Sequence, residues 1–85
     1  MKSKSEIFEI IKGNLLEILP DLDPARIEPH VSMKDLGANS IDRADVIIQT
    51  MEALDLSFPM HELGRLTNIQ GLVDDFHDRC STKKT

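Results

Sequence analysis

With 85 residues, 40% of them hydrophobic, the chain has the length of one domain; at this size only about 60–65% of the unfolded chain's surface is buried, which leaves little room for a deep enzymatic cleft. A formal charge of −5, Lys and Arg scattered apart from the adjacent Lys83 and Lys84, and the absence of Trp and Tyr argue against a nucleic-acid surface and for partners with basic patches. The lone Cys80 rules out an internal disulfide and fits a reducing cytoplasm, and no stretch is apolar and long enough for a membrane span or a signal peptide, the N-terminal candidate being interrupted by Glu9 and Lys12.

The first predicted element is a helix built on Ile7, Ile11, Leu15 and Ile18, with Phe8 and Leu19 widening the apolar stripe. Ser3 and Glu6 have capping-box spacing at its start, Gly13 weakens it without breaking it, and Pro20 ends it. Residues 20–39 follow as a long loop carrying Pro20, Pro24 and Pro29, with Ile27, Val31, Met33 and Leu36 expected to pin it to the rest. A loop of that length in a small domain is packed or functional.

The second helix is expected from about Ser40 to Asp55, with Ile41, Ala44, Ile48 and Met51 forming one apolar row and Ile47, Met51 and Leu54 an adjacent one. Asp42, Asp45, Gln49, Glu52 and Asp55 then occupy the opposite face. After Pro59, residues His61 to Leu66 suit one short helical turn. The third long helix begins near Thr67, whose spacing to Gln70 is that of a capping box, and its inner face is Ile69, Leu72, Val73 and Phe76. The predicted fold is all-α: a small bundle of three long helices and one short one with a long first loop, the domain spanning residues 1–80 and a polar tail 81–85.

The richest local signal is Asp35-Leu36-Gly37-Ala38-Asn39-Ser40-Ile41-Asp42. Gly37 permits a tight turn, Asn39 is a strong N-cap, and Asp42 three residues on favours the positive end of the helix. Ser40 is thereby expected at the first helical position with an exposed hydroxyl. A serine there is ordinarily structural, and nothing nearby activates it: no histidine lies within a few residues and the G-x-S-x-G elbow is absent. It suits a group installed by another enzyme better than catalysis of its own.

The run Asp35-Leu36-Gly37-Ala38-Asn39-Ser40-Ile41 resembles the D-L-G-x-D-S-L signature of acyl and peptidyl carrier proteins. The resemblance extends over nearly the whole chain, through the helix lengths, the long first loop, the Phe58-Pro59 pair and the Thr67-Asn68-Ile69 start of the last helix. It implies a 4′-phosphopantetheine arm on Ser40, whose thiol holds acyl groups as thioesters, and no catalytic residues. The implied partners are a phosphopantetheinyl transferase and the acyltransferase, ketosynthase or HMG-synthase-like enzymes of an assembly line, served by a cytoplasmic monomer. Asn39 departs from the family's usual Asp; it caps equally well but removes a charge beside the serine.

The run Ser40-Ile41-Asp42-Arg43-Ala44-Asp45 is similar to that of freestanding donor carriers in polyketide β-branching, which implies malonyl cargo decarboxylated to acetyl and donated by way of an HMG-synthase-like enzyme. Asn39, Ile41, Asp42, Arg43, Asp45 and Glu52 are the expected partner-recognition residues. Arg43 is the odd one, a cation in a first turn where the helix dipole disfavours it. The competing assignment is an unmodified helical interaction module that uses its acidic second helix; the two share a fold and part at Ser40.

Other constellations are weak. His77 and Cys80 are three apart, but a structural zinc site needs about four ligands and His30 and His61 have no supporting spacing, so no metal is expected. Asp21-Leu22-Asp23 lacks the rest of a calcium loop, and Met33, Met51 and Met60 read as core filler.

Overall fold

The computed structural model describes residues 2–59 and 68–83, with side chains through Ser81. Its elements are α1 (Lys4–Ile18), a 3-10 turn (Pro24–Arg26), α2 (Ser40–Ala53) and α3 (Ile69–Lys83), with no strand among the described residues. The all-α expectation holds. The proposed turn at His61–Leu66, the Thr67 cap and Met60 lie outside the described residues.

α1 starts where its capping box predicts. The Ser3 Oγ accepts the Glu6 N–H at 3.1 Å, and the Glu6 carboxylate accepts the Ser3 N–H at 2.9 Å. Ile7, Ile11 and Leu15 are fully buried, and the helix packs against both α2 and α3. It closes at Ile18, before Pro20. The inner face of α3 is the predicted one, Ile69, Leu72, Val73 and Phe76. α3 runs on to Lys83, beyond the expected domain edge at residue 80.

α2 is rotated from the expected register. Its buried residues are Val46 and Thr50, with Leu54 buried at its end, whereas Ile41 is 73% and Ile48 42% exposed. Of the two predicted rows, Ile47, Met51 and Leu54 do pack against the core, whereas Ile41 and Ile48 stand outside it. What allows a threonine to sit in the core is its hydroxyl, which donates to the Val46 carbonyl at 2.7 Å and accepts the Asn14 side-chain amide of α1 at 3.0 Å. A buried polar group so paired carries no desolvation penalty of the unsatisfied kind.

The end of α2 is also built from backbone chemistry. Leu56 N–H donates to the Met51 carbonyl at 2.8 Å and Asp55 N–H to that of Glu52 at 3.2 Å, the paired bonds of a Schellman close. Asp55 occupies the left-handed position there with φ 54°, a role more often taken by Gly or Asn. Beyond it, the Phe58 ring packs on Phe76 with centroids 6.1 Å apart. The Arg79 guanidinium lies over the Phe58 ring, 3.7 Å from its centroid, and reaches Asp75 at 2.6 Å.

The first loop is held by more than the apolar pins. Ile27, Met33, Leu36 and Ala38 are buried and Val31 is half-buried. In addition, the Val31 and Pro29 carbonyls accept the Ile69 and Gln70 N–H groups at 2.9 and 2.7 Å, and the Asn68 Oδ1 accepts the Gly71 N–H at 2.8 Å. The opening turn of α3 thus finds acceptors for N–H groups that have no partner within the helix.

Two measurements follow. Val46→Ala is expected to cost about 1.5–3 kcal/mol in urea unfolding, while Ile48→Ala stays within about 0.5 kcal/mol; the reverse order would restore the unrotated register. The second concerns acid. The Lys4 ammonium at 3.0 Å, and then the Gln70 amide, hold the Asp74 carboxyl below its ordinary 3.8, and the Ser3 N–H, then its hydroxyl, hold Glu6 below 4.5. Groups with lowered values stabilise the fold above their ordinary values and lose that contribution as pH falls through the lowered ones. Stability should therefore decline on acidification below about pH 4.5, and Asp74→Asn should make the decline shallower.

Candidate functional site

The segment that ends the first loop is a single capped turn. The Ser32 Oγ accepts the Asp35 N–H at 3.1 Å and opens it. Gly37 N–H to the Lys34 carbonyl (3.0 Å) and Ala38 N–H to the Met33 carbonyl (3.1 Å) close it in the Schellman pattern. Gly37 supplies the left-handed residue at φ 95°, which an L side chain rarely adopts. Leu36 and Ala38 on either side are buried, so the turn is anchored through both neighbours of the glycine. From the 3-10 turn, the Arg26 guanidinium donates to the Asp35 carbonyl at 3.3 Å.

The N-cap of α2 lies two residues after that glycine. The Asn39 side chain accepts the Asp42 N–H at 2.8 Å, and the Asp42 carboxylate accepts the Asn39 N–H at 3.3 Å, a reciprocal box. Ser40 is consequently the first helical residue, and it is exposed. The Arg43 Nη2 donates to the Ser40 Oγ at 3.4 Å, a long hydrogen bond. Among the described residues no histidine or carboxylate hydrogen-bonds that hydroxyl, so the geometry offers no general base for it.

The sequence-predicted recognition residues separate into two sets. Asn39 and Asp42 are engaged in capping, and half-buried Arg43 leans on Ser40. Ile41, Asp45 and Glu52 are exposed, and their spacing of four and seven puts them on one face of the helix. Ile48 belongs with them, seven residues from Ile41 and exposed on the same face. The outer face of α2 therefore alternates isoleucine with carboxylate: Ile41, Asp45, Ile48, Glu52. An open recess of about 320 Å³ lies elsewhere, between the end of α1 and the first loop, lined by Ile18, Leu19, Leu22, Arg26 and Leu36 among others.

Residues 9–76 match the model of the phosphopantetheine attachment site family. The chain is 41% identical over 79 residues to the polyketide biosynthesis acyl-carrier-protein AcpK of Bacillus subtilis (strain 168), covering 93% of this chain and 96% of the other. To an acyl carrier protein of Thermosynechococcus vestitus it is 28% identical over 80 residues, covering 93% and 98%. In three dimensions it is similar, with a TM-score of 0.77, to a chain in the crystal structure of the Curacin biosynthetic pathway HMG synthase in complex with acetyl donor-ACP. That likeness has 39% sequence identity and covers 89% of this chain and 96% of the other. With a family match over most of its length, a bundle of the same shape and a capped serine turn at the motif, the chain belongs to the acyl carrier proteins of the phosphopantetheine-attachment family.

Proposed function

We propose that Ser40 bears the 4′-phosphopantetheine arm and that the protein is a freestanding donor carrier of a polyketide assembly line, supplying acetyl, made from malonyl, to an HMG-synthase-like enzyme for β-branching. The carrying observation is the exposed Ser40 hydroxyl at the first position of α2, held by the Asn39–Asp42 box, with no group among the described residues beside it that would turn it into a nucleophile. An exposed hydroxyl at a rigid helix start fits an attached arm. When bound, the arm supplies the thiol that carries acyl groups, and the protein supplies location and recognition. Its own side chains catalyse nothing in this scheme.

The donor role is supported by the likeness to the polyketide carrier AcpK and to the acetyl donor carrier found with an HMG synthase. Docking uses the outer face of α2. Ile41 and Ile48 give an apolar centre, and Asp45 and Glu52 set the charge that basic partners meet. Charges so exposed act more on encounter rate than on final affinity. Asn39, Asp42 and Arg43 complete the recognised surface at the helix start. The carrier acts as a monomer in the cytoplasm and receives its arm from a phosphopantetheinyl transferase.

Incubation with coenzyme A and a broad-specificity transferase, followed by intact mass measurement, tests the attachment. Wild-type protein gains one arm and Ser40→Ala gains none; an unchanged wild-type mass across several transferases would return the chain to the class of unmodified interaction modules. Loaded with acetyl, the wild type should acylate a cognate HMG-synthase-like enzyme, and Arg43→Ala should slow that transfer about 2–5-fold.

A further inference from the structure

Among the described residues, nothing gives Arg43 an evident use in the chain without its arm. A cation in the first turn of a helix opposes the dipole. Its neighbours three and four residues away are Asn39, Ser40, Val46 and Ile47, none of them anionic. Among the described residues no carboxylate pairs with its guanidinium, and the side-chain contact it makes is with the Ser40 Oγ at 3.4 Å. The nearest acid in sequence, Asp42, has its carboxylate turned to the Asn39 N–H. Arg43 is half-buried as a residue, and its guanidinium meets the Ser40 Oγ in an exposed hydrogen bond.

We propose that Arg43 is a built-in counter-ion for the arm: its guanidinium pairs with the phosphodiester formed on Ser40 and holds the first segment of phosphopantetheine on its own side of α2. The inference rests on Ser40 being the attachment point. The oxygen that Nη2 now contacts becomes the ester oxygen of that phosphodiester. The phosphorus is one bond beyond it and the two unesterified oxygens one bond further, so a donor that reaches Oγ reaches them too. A phosphodiester stays anionic throughout the neutral range and presents two oxygens, which a planar guanidinium fork matches and a lysine ammonium does not. The ion pair is intramolecular and its cation is already in position, so little additional side-chain freedom is lost when it forms.

The direction of the effect follows from helix geometry. At 3.6 residues per turn, residue 43 lies on the opposite side of α2 from Ile41, Asp45, Ile48 and Glu52. Asp45 and Glu52 repel a phosphate and Arg43 attracts it, so both forces turn the root of the arm away from the docking face. Arg43 is then a positioning residue whose influence on partner choice acts through the arm.

Phosphorus NMR of the loaded protein reads this without any partner enzyme. Intact mass first verifies one arm on wild type, Arg43→Gln and Arg43→Lys and none on Ser40→Ala; failure at that step sinks the attachment site and not the counter-ion. In the loaded wild type the phosphodiester resonance should be displaced from that of a free phosphopantetheine diester. It should move toward the free position as salt rises to about 1 M, where screening reaches within a few ångströms. Arg43→Gln should sit near the free position at all salt concentrations with a narrower line, and Arg43→Lys should fall between. Loading should also raise the melting temperature of the wild type by about 2–5 °C relative to its unloaded form, and this gain should vanish in Arg43→Gln. Coincident phosphorus spectra for loaded wild type and Arg43→Gln overturn the proposal, whatever the melting temperatures do.

Discussion

The structure depends on how the first loop is tied to the last helix. Residues 19–39 contain a single short turn of regular structure, and ordering such a segment has a large conformational cost. The offset comes from opposite ends of the sequence: Val31 and Pro29 offer carbonyls, and Ile69 and Gln70 offer the N–H groups of a helix start that needs acceptors. Each side satisfies polar groups that burial would otherwise leave costly. Ile27, Met33, Leu36 and Ala38 then add their apolar area to the same core that Phe76 and Ile69 fill. Without this seam, the cap on α2 would fix Ser40 relative to a loop that itself had no fixed place.

Given that anchorage, the motif around Ser40 becomes two helix-terminus devices set back to back. Gly37 ends one capped turn at φ 95°, and Asn39 caps the next helix two residues later. Ala38, buried between them, holds the junction against the core. In this frame asparagine and aspartate at position 39 are interchangeable as caps, so the departure from the family's usual acid leaves the backbone unaffected. What it changes is charge. With Asn39 neutral and Asp42 committed to the box, the neighbourhood of the Ser40 hydroxyl is left to Arg43, in a chain that is acidic as a whole.

Much of this was legible in the sequence wherever the signal was local. The Ser3–Glu6 box, the buried faces of α1 and α3, and the Asn39–Asp42 cap each lie within one helix and follow from spacing alone. The register of α2 did not, because its two surfaces mislead in opposite directions. Thr50 looks polar, but its hydroxyl is satisfied by Val46 and Asn14, the second of these 36 positions away. Ile41 and Ile48 look like core and stand in solvent. Capping of α3 by the first loop is likewise a long-range pairing with no periodic trace. Asp55 in the left-handed position offered no glycine to announce it.

The α2 surprise is also what makes the helix intelligible as a carrier element. Fourteen residues divide into two faces and a first turn with separate duties. Val46, Thr50 and Leu54 fasten the helix to α1, and the Asn14–Thr50 hydrogen bond fixes its rotation in a way that apolar contact alone would leave looser. Fixing the rotation matters because the outer face and the first turn are defined relative to it. The outer row of Ile41, Asp45, Ile48 and Glu52 meets partners, and the first turn, with Ser40 and Arg43, bears the arm. Had the isoleucines faced the core, docking would have fallen to the carboxylates, which steer encounters but discriminate little among basic surfaces. Exposed isoleucines add a shape and an apolar area that must be matched. A polar residue in the core and apolar residues on the surface are thus one arrangement: the first sets the angle at which the second are presented, and the same angle turns Arg43 and the root of the arm to the other side.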